Sequence, residues 1–125
     1  MNIPDKLLYT NDHEWAGNDD GVVTIGITDF AQGELGDIIF VELPAVGQTF
    51  DSGDPFGTIE AVKTVADLYA PLGGEVVAVN EKLEESPQDI NSDPYGAGWI
   101  VRIKLADAGE LDQLLTADKY EELLD

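Results

Sequence analysis

The alternation of apolar and polar positions along this chain predicts short strands separated by turns. Val22-Val23-Thr24-Ile25-Gly26-Ile27 is rich in β-branched residues and bounded by turn formers, so it reads as a strand. Asp37 to Leu43 reads as a second, stopped at Pro44, which has no N–H to give to a ladder. Phe56 to Val62 and Thr64 to Ala70 predict the two arms of a hairpin with Lys63 at its tip, and Glu75 to Asn80 a further strand. In Ile100 to Leu105, Val101, Ile103 and Leu105 are expected on the core face, with Ile100, Arg102 and Lys104 on the other. Asn18-Asp19-Asp20-Gly21 predicts a hairpin turn in which Gly21 supplies a positive φ.

Helical spacing is confined to short segments. One runs through Ala31 and Leu35, with Thr28 or Asp29 as cap and Gly36 as stop. Two amphipathic segments end the chain: Leu111, Leu114 and Leu115, then Tyr120, Leu123 and Leu124 behind Thr116 as N-cap. Leu7-Leu8-Tyr9 is a short apolar segment, Thr10 to Trp15 mixes in turn formers, Gln48-Thr49-Phe50 lies among loops, and Lys82 to Asp93 reads as loop or one helical turn. Gly36-Asp37-Ile38-Ile39-Phe40-Val41 is echoed by Gly74-Glu75-Val76-Val77-Ala78-Val79, which would place two similar β layers on either side of the Lys63 hairpin. The expectation is a mainly β protein with short helices.

At 125 residues the chain suits one domain, 1–125, burying roughly two-thirds of its unfolded surface. No apolar run approaches the roughly 20 residues of a membrane span, and a soluble cytoplasmic monomer is expected. Without cysteine there is no thiolate nucleophile or disulfide, so any sulfur chemistry must arrive on a cofactor. With 26 acidic against 6 basic residues the net charge is −20, which opposes nucleic acid and anionic membranes. Such charge also strains a compact fold by self-repulsion. A salt-rich cytosol, where the Debye length falls to about 3 Å at 1 M, would relieve it.

Candidate chemistry is sparse. His13 has no second histidine to make a zinc site and reads as a structural hydrogen bonder. No G-x-S-x-G elbow and no phosphate loop is present. Lys63 stands out: from Leu7 through Glu81 it is the only Lys or Arg, and no acid lies within two positions of it. A Schiff-base role wants a desolvated amine, whereas a hairpin tip is wet. An attachment point for a prosthetic group fits better.

The motifs Tyr9-Thr10, His13-Glu14-Trp15, Gly26 to Gln32, Leu35 to Pro44, Glu60-Ala61-Val62-Lys63, Asp67 to Pro71, Gly74-Glu75-Val76, Pro94-Tyr95 and Gly98-Trp99 together resemble the H proteins of the glycine cleavage system. They follow one another in order along nearly the whole chain. The resemblance implies a lipoyl/biotinyl-type flattened barrel, a barrel-sandwich hybrid with short helices including C-terminal ones. It implies lipoate in amide linkage on Lys63, with Glu60 as a flanking recognition residue. It also implies a surface cleft for the loaded arm, for which Asp12, Glu14, Ile27, Ala31 and Asp67 are the candidates by position. Where the family often carries serine and alanine around the lysine, this chain has Ala61 and Thr64; Phe30 stands where histidine is frequent.

The implied activity is that of a non-catalytic carrier. It would take the aminomethyl group of glycine from the pyridoxal-phosphate glycine decarboxylase to the tetrahydrofolate-dependent aminomethyltransferase, and dihydrolipoamide dehydrogenase would reoxidise it. A lipoate ligase or lipoyl transferase would load it. An H-like protein relaying lipoate to other lipoyl enzymes is the alternative. A biotin carrier is disfavoured by Val62 and Thr64, where methionines are expected.

Overall fold

The computed structural model describes residues 2–124. In chain order the elements are β1 (Leu8–Tyr9), β2 (Glu14–Asp19), β3 (Val22–Ile27), α1 (Asp29–Leu35), β4 (Ile38–Glu42), β5 (Thr49–Phe50) and β6 (Pro55–Ala61). Then come β7 (Val65–Tyr69), β8 (Gly74–Val79), a 3-10 turn (Glu81–Glu84), α2 (Asp89–Ser92), β9 (Val101–Leu105), a second 3-10 segment (Ala108–Gln113) and α3 (Ala117–Leu124).

Two antiparallel sheets face each other: six strands in the order β1-β2-β3-β9-β8-β5, and three in the order β4-β6-β7. Neither closes on itself. Ile25, Ile59, Leu68, Leu72, Val76, Leu83, Ile90 and Ile103 fill the space between them and are at most 3% exposed. A second cluster joins Tyr9 and Trp15 to Ala117 and Tyr120, and so fastens α3 to the rim of the large sheet. Tyr9 and Tyr120 stack with ring centroids 4.8 Å apart.

Local chemistry explains most of the elements that sequence foresaw. Asp20 and Gly21 take φ of 53° and 89°, the paired left-handed conformations of a hairpin turn whose twist matches its strands. Asn18 Oδ1 accepts the Gly21 N–H at 3.0 Å. Thr28 caps α1 by accepting the Ala31 N–H at 3.2 Å, and Gly36 ends it at φ 78°. The echoed strings lie in opposite sheets, in β4 and β8. Each slips register at the same place, between Ile38 and Phe40 against β6 and between Val76 and Ala78 against β9. Ile38 and Val76 are accordingly buried, while Ile39 and Val77 face solvent.

Other expectations are corrected. β2 occupies residues read in part as turn: Glu14-Trp15-Ala16-Gly17 has no β-branched residue, and its extension comes from pairing with β1 and β3 on either side. β5 replaces an expected loop, again through pairing, with Glu75 and Gly74 of β8. Ile100 is fully buried rather than sharing a face with Arg102 and Lys104. It precedes β9, where its N–H bonds to Ile25 O at 2.9 Å, so the strand's alternation does not reach it. The first C-terminal helix is a 3-10 segment, and α3 follows Thr116, whose Oγ1 accepts the Lys119 N–H.

Candidate functional site

Lys63 sits at the end of the β6–β7 hairpin. Ala61 N–H donates to Thr64 O at 2.7 Å, which closes a tight turn with Val62 and Lys63 at its centre. Val62 N–H donates to Asp37 O at 3.0 Å and ties the turn to the chain leaving α1. The lysine is exposed, and its stem lies back over Gly36. A Cβ added to Gly36 would stand 3.4 Å from Lys63 Cε and 3.8 Å from Nζ. Gly36 thus serves two needs, a positive φ at the helix end and a bare surface for the lysine stem. Asn91 braces this corner: its Nδ2 donates to Gly36 O at 2.8 Å and to Gln32 Oε1, while its Oδ1 accepts the Ile38 N–H at 3.0 Å.

One residue before Gly36, Leu35 stands at the edge of a cleft of about 410 Å³ between α1 and the lysine hairpin. Its apolar walls are Ile27, Phe30, Ala31, Leu35, Ile59, Ala66 and Leu68, and its polar groups Asp12, His13, Glu34 and Asp67. The structure therefore brings together four of the residues placed there by position: Asp12, Ile27, Ala31 and Asp67. Glu60 lies on the exposed face of β6 beside the turn. Phe30, Glu34 and Leu35 were not assigned to the cleft from sequence, although together with Ala31 their spacing along α1 marks one helix face. Ile59 and Ala66 meet only because the hairpin register sets them opposite each other.

Glu14 does not line this cleft. Its side chain is 2% exposed, and one carboxyl oxygen accepts the Tyr69 N–H at 2.7 Å. The other, Oε1, is buried without a partner. Burial pushes its pKa up to about 8 against the pull of the Tyr69 amide, with Asp12 adding to the rise. Burial therefore favours the neutral acid form of Glu14, whereas Asp12, Glu34 and Asp67 are exposed on the cleft rim.

His13 closes the end of the cleft nearest α3. It holds φ at 64°, an uncommon conformation for a side chain with a Cβ, and packs on Phe30 with ring centroids 4.7 Å apart. Its Nδ1 lies 2.8 Å from Tyr120 Oη, which is also 2.7 Å from Thr28 Oγ1. Burial lowers the His13 pKa, opposed by Asp12 and Glu34. The imidazole is thus a neutral wall between the C-terminal helix and the α1 cap.

A long, largely apolar cleft beside an exposed lysine at a hairpin tip suits a flexible acyl arm. Comparison with known proteins agrees: residues 7–125 match the family model described as glycine cleavage H-protein. The chain belongs to the glycine cleavage H-protein family. A glycine cleavage system H protein of Listeria monocytogenes serotype 4a (strain HCC23) is 56% identical over 125 residues, covering 100% of both chains. One of Bacillus cereus (strain B4264) is 54% identical over 123 residues, 98% of this chain and 97% of its own. The crystal structure of a glycine cleavage system H protein from Mycobacterium marinum superposes with a TM-score of 0.89 at 44% identity, covering 96% of this chain and 97% of that one. The mainly β flattened barrel-sandwich and the lipoyl-carrier role in glycine cleavage follow from this membership. Among the described residues no helix is long and apolar enough to cross a membrane.

Proposed function

We propose that Lys63 carries lipoate in amide linkage and that the chain, as one cytoplasmic, monomeric carrier domain without catalytic residues of its own, presents it in turn to the other components of glycine cleavage. The observation that carries this reading is the lone, exposed lysine at a braced turn, lying over Gly36, which follows Leu35 of the apolar cleft in sequence. The group fits the site: Ile27, Ala31, Leu35 and Leu68 offer hydrocarbon walls, and the lysine is exposed. When bound, lipoate supplies a disulfide that takes up the aminomethyl group of glycine as it is reduced.

The chain's residues do the rest. The turn holds Lys63 away from the body, so that the arm can enter a partner's active site and gain the high effective concentration of a tethered substrate. The cleft covers the hydrocarbon and limits water around the amine cargo. Asp12 and Asp67, both lining the cleft, offer negative charge to a cationic amine. Ile27 and Ala31 cover the stem. Glu14, turned inward to the Tyr69 amide, takes no direct part in the cleft. Loading comes from the pyridoxal-phosphate glycine decarboxylase, unloading from the tetrahydrofolate-dependent aminomethyltransferase, and reoxidation from dihydrolipoamide dehydrogenase. A lipoate ligase or lipoyl transferase, helped by Glu60, attaches the group.

Intact-mass measurement of the protein from its native host, with a glycine decarboxylation-exchange assay on wild type and Lys63→Arg, tests the reading. A lipoyl mass increase absent from Lys63→Arg, together with exchange activity lost in that variant, supports it. An unmodified wild type overturns it. Modification without exchange points instead to a carrier that relays lipoate to other enzymes.

A further inference from the structure

We infer that the outer face of the six-stranded sheet carries a binding site for a small planar anion, a flat ring bearing a carboxylate or a phosphate. The site is a cavity of about 460 Å³ walled by Trp15, Tyr95 and Trp99 and edged by Lys6, Asp19 and Arg102. Small-molecule sites occupy roughly 300–1,000 Å³. Ala16, Ile25 and Val101 point into the core between the sheets, so Trp15, Thr24 and Arg102 project from the opposite face. That face belongs to the other sheet from the one that bears the Lys63 hairpin, and the site owes nothing to what Lys63 carries.

The walls are fixed before any ligand arrives. Trp15 stands opposite Gly26 in the β2–β3 ladder, and its indole lies flat on that glycine: a Cβ there would come 2.6 Å from Nε1. Trp15 Nε1 donates to Pro94 O at 3.0 Å. Tyr95, with its ring centroid 6.0 Å from that of Trp15, donates its hydroxyl to Asn2 O at 2.7 Å and accepts the Asp29 N–H at 3.0 Å. Arg102 lies over Trp99 with Cζ 4.1 Å from the ring centroid. Its Nε donates to Oγ1 of Thr24 at 3.2 Å, its partner across β3 and β9. Such anchoring spares a ligand the entropy of ordering its site.

Charge selects the ligand. The chain has 26 acidic and 6 basic residues, and the arm cleft is lined by Asp12, Glu34 and Asp67 with no lysine or arginine. Here two of the six cations, Lys6 and Arg102, face one carboxylate, Asp19. Salt at 0.15 M screens exposed charges beyond about 8 Å, so these near groups decide the local field. The guanidinium fork suits a carboxylate or phosphate, which it can grip with two parallel N–H bonds. The aromatic walls select a flat ring to stack on them, which a bare inorganic anion lacks. A nucleic acid would run past the cavity onto a chain of net charge −20. The ligand is therefore a small molecule.

The test is a titration of the isotope-labelled full chain at about 0.15 M salt, followed by NMR of the indole N–H signals. Trp15 and Trp99 are the chain's 2 tryptophans and both line the cavity, so each signal reports on it. The probes are adenosine monophosphate and naphthoate, with adenosine and inorganic phosphate as controls that lack the charge or the ring. Either probe should shift both signals saturably, and the tighter of the two names the anionic group. Arg102→Gln should weaken binding about tenfold and Lys6→Gln by less, while Lys82→Gln, away from the cavity, leaves it unchanged; thermal melts check that each variant folds. No saturable shift with either probe overturns the proposal. So does adenosine or phosphate binding as tightly as adenosine monophosphate, or an equal loss in Lys82→Gln, which would mean that only the overall charge matters. Shifts that appear on raising the protein concentration without a probe would show a second copy covering the cavity, and overturn it too.

Discussion

Replacing Glu14 with glutamine should abolish a large pH dependence of stability. The carboxyl group is 2% exposed, with one oxygen on the Tyr69 amide and the other unpartnered. Its pKa rises from 4.5 to about 8 because burial penalises the ionised form. Between those values the folded chain holds a proton that the unfolded chain has lost. The stabilisation is fully present below about pH 4.5, declines as pH rises, and is gone above about pH 8. At 1.36 kcal/mol per unit the whole span amounts to roughly 4–5 kcal/mol, of which about 3 kcal/mol is lost by pH 7. For a domain of this size that is on the order of 10 °C in melting temperature.

The substituted amide keeps an oxygen for the Tyr69 N–H but cannot titrate. The assay is a set of thermal melts of wild type and Glu14→Gln from about pH 5 to about pH 8.5 at fixed ionic strength. Subtracting one curve from the other removes the titration of the many surface carboxylates, which both proteins share. Wild-type minus variant should fall by on the order of 10 °C across the range. A flat difference would show that the carboxyl is ionised in the folded protein throughout, and would refute the reasoning from burial.

Three further outcomes follow from the same geometry. Gly36→Ala must place a Cβ at φ 78° against the Lys63 stem, and should lose about 1–2 kcal/mol in chemical denaturation while changing the lipoylation rate at Lys63. Tyr120→Phe removes the hydroxyl shared by His13 and Thr28; a loss of about 1–2 kcal/mol, with a change in the His13 pKa followed by NMR, is expected. For the net charge of −20, melting in dilute buffer against molar KCl should show higher stability in salt, and equal melting temperatures would remove self-repulsion as a significant force.

Sequence by itself determined the elements that local chemistry specifies. Val22 to Ile27 is β-branched and turn-bounded, Asp20-Gly21 can adopt left-handed φ, Thr28 can cap and Gly36 can stop, and each does so in the fold. It also singled out Lys63, because a solitary cation in an acidic stretch is visible without coordinates. The echo between β4 and β8 was legible as a string of residue types, but its shared register slip was not, since a bulge is a relation between two strands.

Tertiary structure decided what depends on partners distant in the chain. β2 and β5 are strands because neighbours complete their ladders, against weak local preference. The cleft exists because α1 packs across the lysine hairpin, so that Leu35, Leu68, Asp12 and Asp67 line one space. Asp12, Ile27, Ala31 and Asp67 meet there, while Glu14, a few residues from Asp12 in sequence, turns inward to the Tyr69 amide. Asp12 lies in the turn before β2, the backbone reverses at His13 with its φ of 64°, and Glu14 opens the strand, so which carboxylate meets solvent and which is buried is settled only when the sheets pack over the core.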